Sequence, residues 1–197
     1  MTAELIDKLI CALNQENLRY CHWKSNFSLA ETFAGETDLD LLIDRKSLSQ
    51  VLIILFGMGF KSAGTKSGLD PNGIFHFYGL DDLTGQLIHV HLFSSVLTGE
   101  SFVKTHLLPF ENMLLENTSY IGAMKVPSRA AELVVFVVRT FIKYGSFLDV
   151  LMLSRKPEIL RNELTWLQNE NELAESLALL NKYCPAIKEN LFLECLK

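Results

Sequence analysis

The chain has 197 residues, of which 49% are hydrophobic and 21% charged, and a formal net charge of −5. That length suits one domain of ordinary size plus a small helical appendage, and the composition excludes the low-complexity and disordered classes. Lysine and arginine together number 18 against 23 acids and are dispersed along the chain, so no nucleic-acid partner is expected from electrostatics.

In chain order, Leu5, Leu9, Ile10 and Leu13 fall on one side of a helix over residues 2–16, with Glu4 and Asp7 near its positive N-terminal end. Leu18 to Lys24 reads as a short strand that enters a loop at Ser25-Asn26. From Asp38 to Ile43 the chain alternates: Asp38, Asp40 and Leu42 share one face, and Leu39, Leu41 and Ile43 the other. One face is therefore expected in the core and the opposite one carries two carboxylates. Ser47 can cap a helix through Val51, Leu52, Ile54 and Leu55, which Gly57 and Gly59 end. Phe60 to Ala63 suits another strand, and Gly64 to Gly73 has the composition of an exposed, mobile loop. Ile74 to Leu80 and Gln86 to Phe93 read as a β-hairpin; in its second strand His89 and His91 share one face, and Ile88, Val90 and Leu92 the other. Two short β-like pieces flank Gly122, Pro127-Ser128 opens a long helix from about Arg129 to Tyr144, and the remainder reads as helical with breaks near Pro157 and Pro185.

The four cysteines, Cys11, Cys21, Cys184 and Cys195, show no Cys-x-x-Cys spacing, and no basic segment with an apolar core opens the chain. Both features suit reduced thiols in a soluble cytoplasmic protein. The longest apolar run, Leu133 to Val138, falls far short of the roughly 18 residues a membrane span needs. A mean hydropathy of +0.20 leaves room for an apolar surface covered by a second copy of the chain or by a protein partner.

Carboxylates at i and i+2 on a strand project side by side, about 6 to 7 Å apart at the backbone, and can hold one or two hard divalent cations. Phosphoryl and nucleotidyl transfer uses that arrangement to neutralise a triphosphate, align an incoming hydroxyl and stabilise the leaving pyrophosphate. An isolated Asp-x-Asp is often only a solvated strand end. Here the pair interrupts an otherwise apolar strand directly after Gly35-Glu36-Thr37.

The segments Tyr20-Cys21-His22-Trp23-Lys24-Ser25-Asn26 and Gly35-Glu36-Thr37-Asp38-Leu39-Asp40-Leu41-Leu42-Ile43-Asp44 resemble the opening of the DNA polymerase β-like nucleotidyltransferase superfamily. The closer likeness is to a bacterial subgroup associated with surface-polysaccharide genes or with thymidylate-kinase-like fusions. The stretch Gly79-Leu80-Asp81, Thr84-Gly85 and Ile88-His89-Val90-His91 shares in it, and the resemblance spans roughly residues 4 to 143. It implies an α/β (α+β) nucleotidyltransferase-like mixed sheet with flanking helices over residues 1–127, with a C-terminal helical region over 128–197. It also implies metal-dependent transfer of a nucleotidyl group from a nucleoside triphosphate to a small-molecule or sugar hydroxyl. Asp38 and Asp40 would be catalytic and metal-binding, with Lys24 and Ser25 contacting phosphate where the superfamily has Gly-Ser or Gly-Gly. A later strand usually supplies a third carboxylate; the matching strand here offers His89 as a proton-taking group and His91 as a metal ligand. Mg²⁺ or Mn²⁺ is the expected cofactor, and imidazole moves preference towards Mn²⁺. Loss of the third carboxylate leaves a second reading: a catalytically degenerate fold that binds nucleotide or a partner protein in surface-polysaccharide biosynthesis.

Bland readings stand beside these. His89 and His91 can be polar residues on a solvent-facing strand, and His22 with Cys21 suits structure better than zinc. Gly59 to Ser67 approaches a P-loop but inserts Thr65 before the lysine, and no helix follows it. Glu132, Phe136, Arg139 and Lys143 form one stripe of the long helix. The cations Arg139 and Lys143 there need an anionic partner, either an internal acid or a nucleotide phosphate. Trp166 reads as core packing.

Overall fold

A computed structural model describes residues 3–64, 73–99, 106–143, 157–168 and 170–196. The chain divides into two compact units, Met1–Ser95 with Thr118–Val126, and Val96–Asn117 with Pro127–Lys197. In this division the chain crosses between the units at 95/96, 117/118 and 126/127, with residues 96–117 in the second unit. Most of the expected loop, residues 65–72, lies outside the described residues, as does the chain from residue 144 to 156.

The first unit begins with α1 (Glu4–Gln15), β1 (Tyr20–His22), a short α2 (Leu29–Phe33), β2 (Leu39–Ile43) and α3 (Leu48–Gly57). It continues through β3 (Lys61–Ala63), β4 (Ile74–Leu80) and β5 (Leu87–Phe93). These strands make one mixed sheet in the order β1-β2-β5-β4-β3, in which β2 and β5 are parallel and the other pairs antiparallel. The period-2 pattern chooses the faces. Leu39, Leu41, Phe77, Ile88, Val90 and Leu92 pack with Ile6, Leu9 and Leu13 of α1 and Val51 and Leu55 of α3 in one core. Each such side chain, fully buried, contributes about 1.5 to 3 kcal/mol of transfer free energy.

Three local expectations are corrected by the structure. Leu42, on the carboxylate face, is as fully buried as Leu41, so the interior strand β2 is covered on both faces at this position, as a strand with a parallel neighbour commonly is. Ser47 makes no side-chain cap to α3; Asp44 accepts from the Lys46 amide instead, in a turn of 3-10 helix at Arg45–Ser47. Gln86 belongs to the turn rather than to β5, because the Asp81 amide donates to its carbonyl at 2.8 Å.

Asp81 ties this turn to α1. One carboxylate oxygen accepts from the Leu5 amide at 2.7 Å, and the other accepts from the Thr84 amide at 3.0 Å and the Thr84 hydroxyl at 2.7 Å. An otherwise unsatisfied N-terminal amide of α1 thus finds its acceptor far along the chain. A further hairpin, β8 (Thr118–Ile121) and β9 (Met124–Pro127), turns at Gly122 with φ +61°. Two contacts fix it: Asn14 Nδ2 donates to the Ala123 carbonyl at 2.8 Å, and Lys125 Nζ to the Leu18 carbonyl at 3.1 Å.

The second unit holds a two-stranded pair, β6 (Val96–Thr98) with β7 (His106–Leu108), and α4 (Glu111–Glu116). Helices α5 (Arg129–Lys143), α6 (Pro157–Leu167), α7 (Glu170–Tyr183) and α8 (Glu189–Glu194) follow. Ala130 through Val138 of α5 are buried. Ser176 Oγ of α7 donates to the Ala130 carbonyl at 3.0 Å, and the Arg129 guanidinium lies 4.7 Å from the ring of Trp166 on α6, which is partly rather than fully buried. Among the described residues no helix is long and apolar enough to cross a membrane.

Candidate active site

The sheet's register assembles the candidate residues in two rows. Asp40 of β2 stands opposite His91 of β5, and His91 opposite His76 of β4. In the adjacent row His89 stands opposite Tyr78, and Asp38, immediately before β2, reaches it from the other side. All share the face opposite the apolar core.

Short contacts join the rows. His89 Nδ1 donates to Asp38 Oδ1 at 2.9 Å, and His91 Nδ1 to Asp40 Oδ1 at 3.1 Å, while Asp38 Oδ2 lies 3.5 Å from the same His91 nitrogen. These donors are assigned from the acceptor character of the carboxylates, and they leave each imidazole Nε2 with its lone pair. His76 Nδ1 lies 3.2 Å from His89 Nε2. The His89 ring is stacked between neighbours, with the Tyr78 centroid at 4.2 Å and an interplanar angle of 8°, and the His76 centroid at 5.4 Å.

Lys24 closes the group from the β1 side. Its Nζ lies 2.9 Å from Asp40 Oδ1, and 4.8 Å and 5.3 Å from the Phe93 and Trp23 ring centroids. Trp23 and Phe93 meet edge to face at 5.1 Å. They wall the ammonium on its apolar side, where a ring face attracts a cation. Ser25 follows with φ +58°, a left-handed conformation that costs a side-chain-bearing residue about 1 to 2 kcal/mol. Ser25 is exposed, and its carbonyl accepts from the Ser28 amide at 3.1 Å. His22 is buried against Asn26, with its Nδ1 2.7 Å from Asn26 Oδ1. Burial holds His22 below the ordinary imidazole value, with the Asn26 hydrogen bond pulling the other way.

Burial alone would raise the Asp40 carboxyl, but the His91 hydrogen bond and the charge and hydrogen bond of Lys24 prevail and hold it well below the usual carboxylate range. His89 is held below the ordinary imidazole value by burial and by neighbouring His91, with Asp38 pulling the other way. With neutral imidazoles, Asp38, Asp40 and Lys24 sum to one negative charge. A face that already seats an ammonium against Asp40, and retains net negative charge, has the donor set for a divalent cation: two carboxylates and adjacent imidazole.

The sequence-derived residues Asp38, Asp40, His89, His91, Lys24 and Ser25 thus lie in one region of the first unit. His89 and His91 are half-buried rather than on an open solvent face. His76 and Tyr78 were not anticipated, although β4 carries them at the same alternation. Arg139 and Lys143 stand on α5 in the second unit. Burial pushes the Glu163 carboxyl up while the Arg139 charge pulls it down, so Arg139 has an acidic neighbour of the kind the internal-acid reading requires.

No protein-family model matches the chain, and no curated protein matches it in sequence. Among solved structures, the chain is similar to a crystal structure of ANT(2")-Ia in complex with adenylyl-2"-tobramycin. The TM-score is 0.50 at 14% identity, over 92% of this chain and 98% of that one. A solution structure of the antibiotic-resistance factor ANT(2'')-Ia aligns with a TM-score of 0.45 at 14% identity, over 93% of this chain and 94% of that one. The first likeness is one of fold: the mixed sheet with flanking helices is nucleotidyltransferase-like.

Proposed function

We propose that this protein transfers a nucleotidyl group from a nucleoside triphosphate to a hydroxyl of a small molecule or sugar. The observation that carries the reading is the meeting of Asp38, Asp40, His89, His91 and Lys24 on one sheet face, through contacts of 2.9 to 3.5 Å. It is supported by a fold like that of a protein solved with an adenylylated aminoglycoside, adenylyl-2"-tobramycin.

In this reading Asp38 and Asp40, with His91 beside them, hold Mg²⁺ or Mn²⁺, whose chemistry is to neutralise triphosphate charge and stabilise departing pyrophosphate. Lys24 turns from Asp40 towards phosphate, and Ser25, exposed on its turn, offers a hydroxyl to the same group. His89 is held neutral, with Nδ1 committed to Asp38 and Nε2 3.2 Å from His76 Nδ1, so Nε2 takes the acceptor's proton in exchange for the His76 contact. The acceptor oxygen bonds to the α-phosphorus as the bond to pyrophosphate breaks. The sequence resemblance to a subgroup associated with surface-polysaccharide genes supports a sugar acceptor. Binding without transfer is the second reading, and the imidazoles standing where the superfamily has a third carboxylate favour it.

Calorimetric titration with each nucleoside triphosphate, in Mg²⁺ and separately in Mn²⁺, tests the site. Binding that needs the metal and disappears in Asp40→Asn supports it, and pyrophosphate release with an aminoglycoside or sugar then separates transfer from binding alone. No heat with any nucleotide in either metal sinks both readings.

A further inference from the structure

The geometry points to a three-imidazole site, built by His76, His89 and His91, that takes a first-row transition metal ion of the Zn²⁺ or Co²⁺ kind. This goes beyond nucleotidyl transfer: it adds His76 and gives His89 and His91 a second use, so an ion held by the three imidazoles and the transfer roles of those two residues are alternative states of one site.

One ring nitrogen from each of the three histidines lies within 4.8 Å of those from the other two. His76 Nδ1 and His89 Nε2 are 3.2 Å apart, whereas two nitrogens on one tetrahedral zinc stand about 3.3 Å apart, given bonds of about 2.0 to 2.1 Å. A proton shared between those two nitrogens, or a metal ion bound by both, satisfies the same spacing. The ring centroids of His89 and His91 are 4.0 Å apart and those of His76 and His91 4.6 Å, with both pairs edge to face. Rings so disposed can aim three lone pairs at one point after small side-chain rotations.

The outer groups favour the same assignment. Asp38 accepts from His89 Nδ1 and Asp40 from His91 Nδ1, which fixes the tautomer that leaves Nε2 free to coordinate. That is the carboxylate–histidine–metal arrangement, in which the carboxylate orients the ring and raises its basicity. Tyr78, stacked on His89 at 4.2 Å, restrains that ring. Imidazole donors select zinc and its first-row neighbours rather than Mg²⁺. Three protein ligands leave a fourth position open to water or to another exchangeable oxygen ligand, the pattern of a metal that binds a ligand rather than one that only ties strands.

The test is titration of the full chain with Co²⁺ near neutral pH, followed by visible absorption and by displacement with Zn²⁺. With Mg²⁺ in excess to occupy the carboxylates, which imidazole-bound ions do not need, we expect one equivalent of Co²⁺ to bind. His76→Ala and His76→Gln should weaken it roughly 100-fold or more, since loss of an orienting group alone costs about 10- to 100-fold, while Mg²⁺-nucleotide binding is retained. Zn²⁺ should shift the ring ¹⁵N resonances of His76, His89 and His91 in the wild-type protein, a measurement that needs no variant to fold. Co²⁺ affinity unchanged in folded His76 variants, or ¹⁵N shifts that spare His76, overturns the site even if nucleotide binds. Retained Co²⁺ binding with no nucleotide binding leaves this site standing and removes the transferase reading instead.

Discussion

Asp40→Asn isolates the electrostatics of the candidate site, because it keeps the side chain's shape while deleting its charge. In the wild type the Lys24 ammonium lies 2.9 Å from Asp40 Oδ1, with the two side chains 17% and 12% exposed. Breaking a fully buried pair by removing one partner costs about 3 to 5 kcal/mol, whereas exposed pairs are worth about 0 to 1 kcal/mol. This pair lies between those limits, so the expected cost is about 2 kcal/mol. For a chain of this size that lowers the melting temperature by about 4 to 8 °C. Most of the cost is the ammonium left without its carboxylate, so adding Lys24→Met to Asp40→Asn should recover part of the loss, and a double-mutant cycle measures the coupling.

The same pair sets a pH dependence. The folded-state pKa of Asp40 is depressed. Its contribution is therefore complete above the unfolded carboxylate value near 3.9 and is lost as pH falls below that value towards the folded one. Urea denaturation of wild type and Asp40→Asn between neutral pH and about pH 3 should show a gap that is constant down to about pH 4 and then narrows. A gap below about 0.5 kcal/mol at neutral pH would refute the argument and class the pair with solvated surface charges.

Two further outcomes are expected. Gly35 has φ +74°, and a Cβ there would meet Gln86 Oε1 at 2.7 Å and Ile88 Cδ1 at 2.8 Å; Gly35→Ala should cost about 2 kcal/mol by urea denaturation, and an unchanged midpoint would show that the turn before Asp38 tolerates a side chain. Burial pushes the Tyr20 hydroxyl up to about 12, so the unfolded chain loses that proton first and stability falls as pH rises from about 10 towards 12. Tyr20→Phe should flatten that alkaline slope at a cost of about 1 kcal/mol at neutral pH for the lost bond to Asn14, and identical slopes in the two proteins would contradict the assignment.

The alternation of residues 38–43 and 87–93 was sufficient to place Asp38, Asp40, His89 and His91, because strand period alone decides which side chains share a face. It was not sufficient for His76 and Tyr78, although β4 itself was legible. Their pairing with His91 and His89 depends on the hairpin register, in which Leu80 stands opposite Leu87. Starting the second strand at Gln86 shifts that register by one residue and moves every side chain of β4 to the wrong face relative to β5. The discriminating information lies in Asp81, whose hydrogen bonds to Thr84 and Leu5 hold a six-residue turn, and no local propensity reveals a partner as distant as α1. The grouping of residues 96–117 with the C-terminal helices was hidden for the same reason.

β5 lies between β2 and β4, which sets residue 91 beside Asp40 on one neighbour and beside His76 on the other. A carboxylate at residue 91 would stand directly across from Asp40, and like charges opposite each other on neighbouring strands are destabilising. An added cation would then be needed to relieve the repulsion. The imidazole reverses the sign of that contact, because His91 Nδ1 donates to Asp40 at 3.1 Å while Lys24 balances the carboxylate from the other side. The sheet is therefore internally satisfied before any metal arrives, and a metal must displace hydrogen bonds rather than relieve a clash. Under the proposed function this predicts metal binding at the carboxylates that is weaker than in a three-carboxylate site and shifted towards ions that accept nitrogen ligands. The residue that donates to Asp40 also stands opposite His76, so both proposed metal preferences rest on His91.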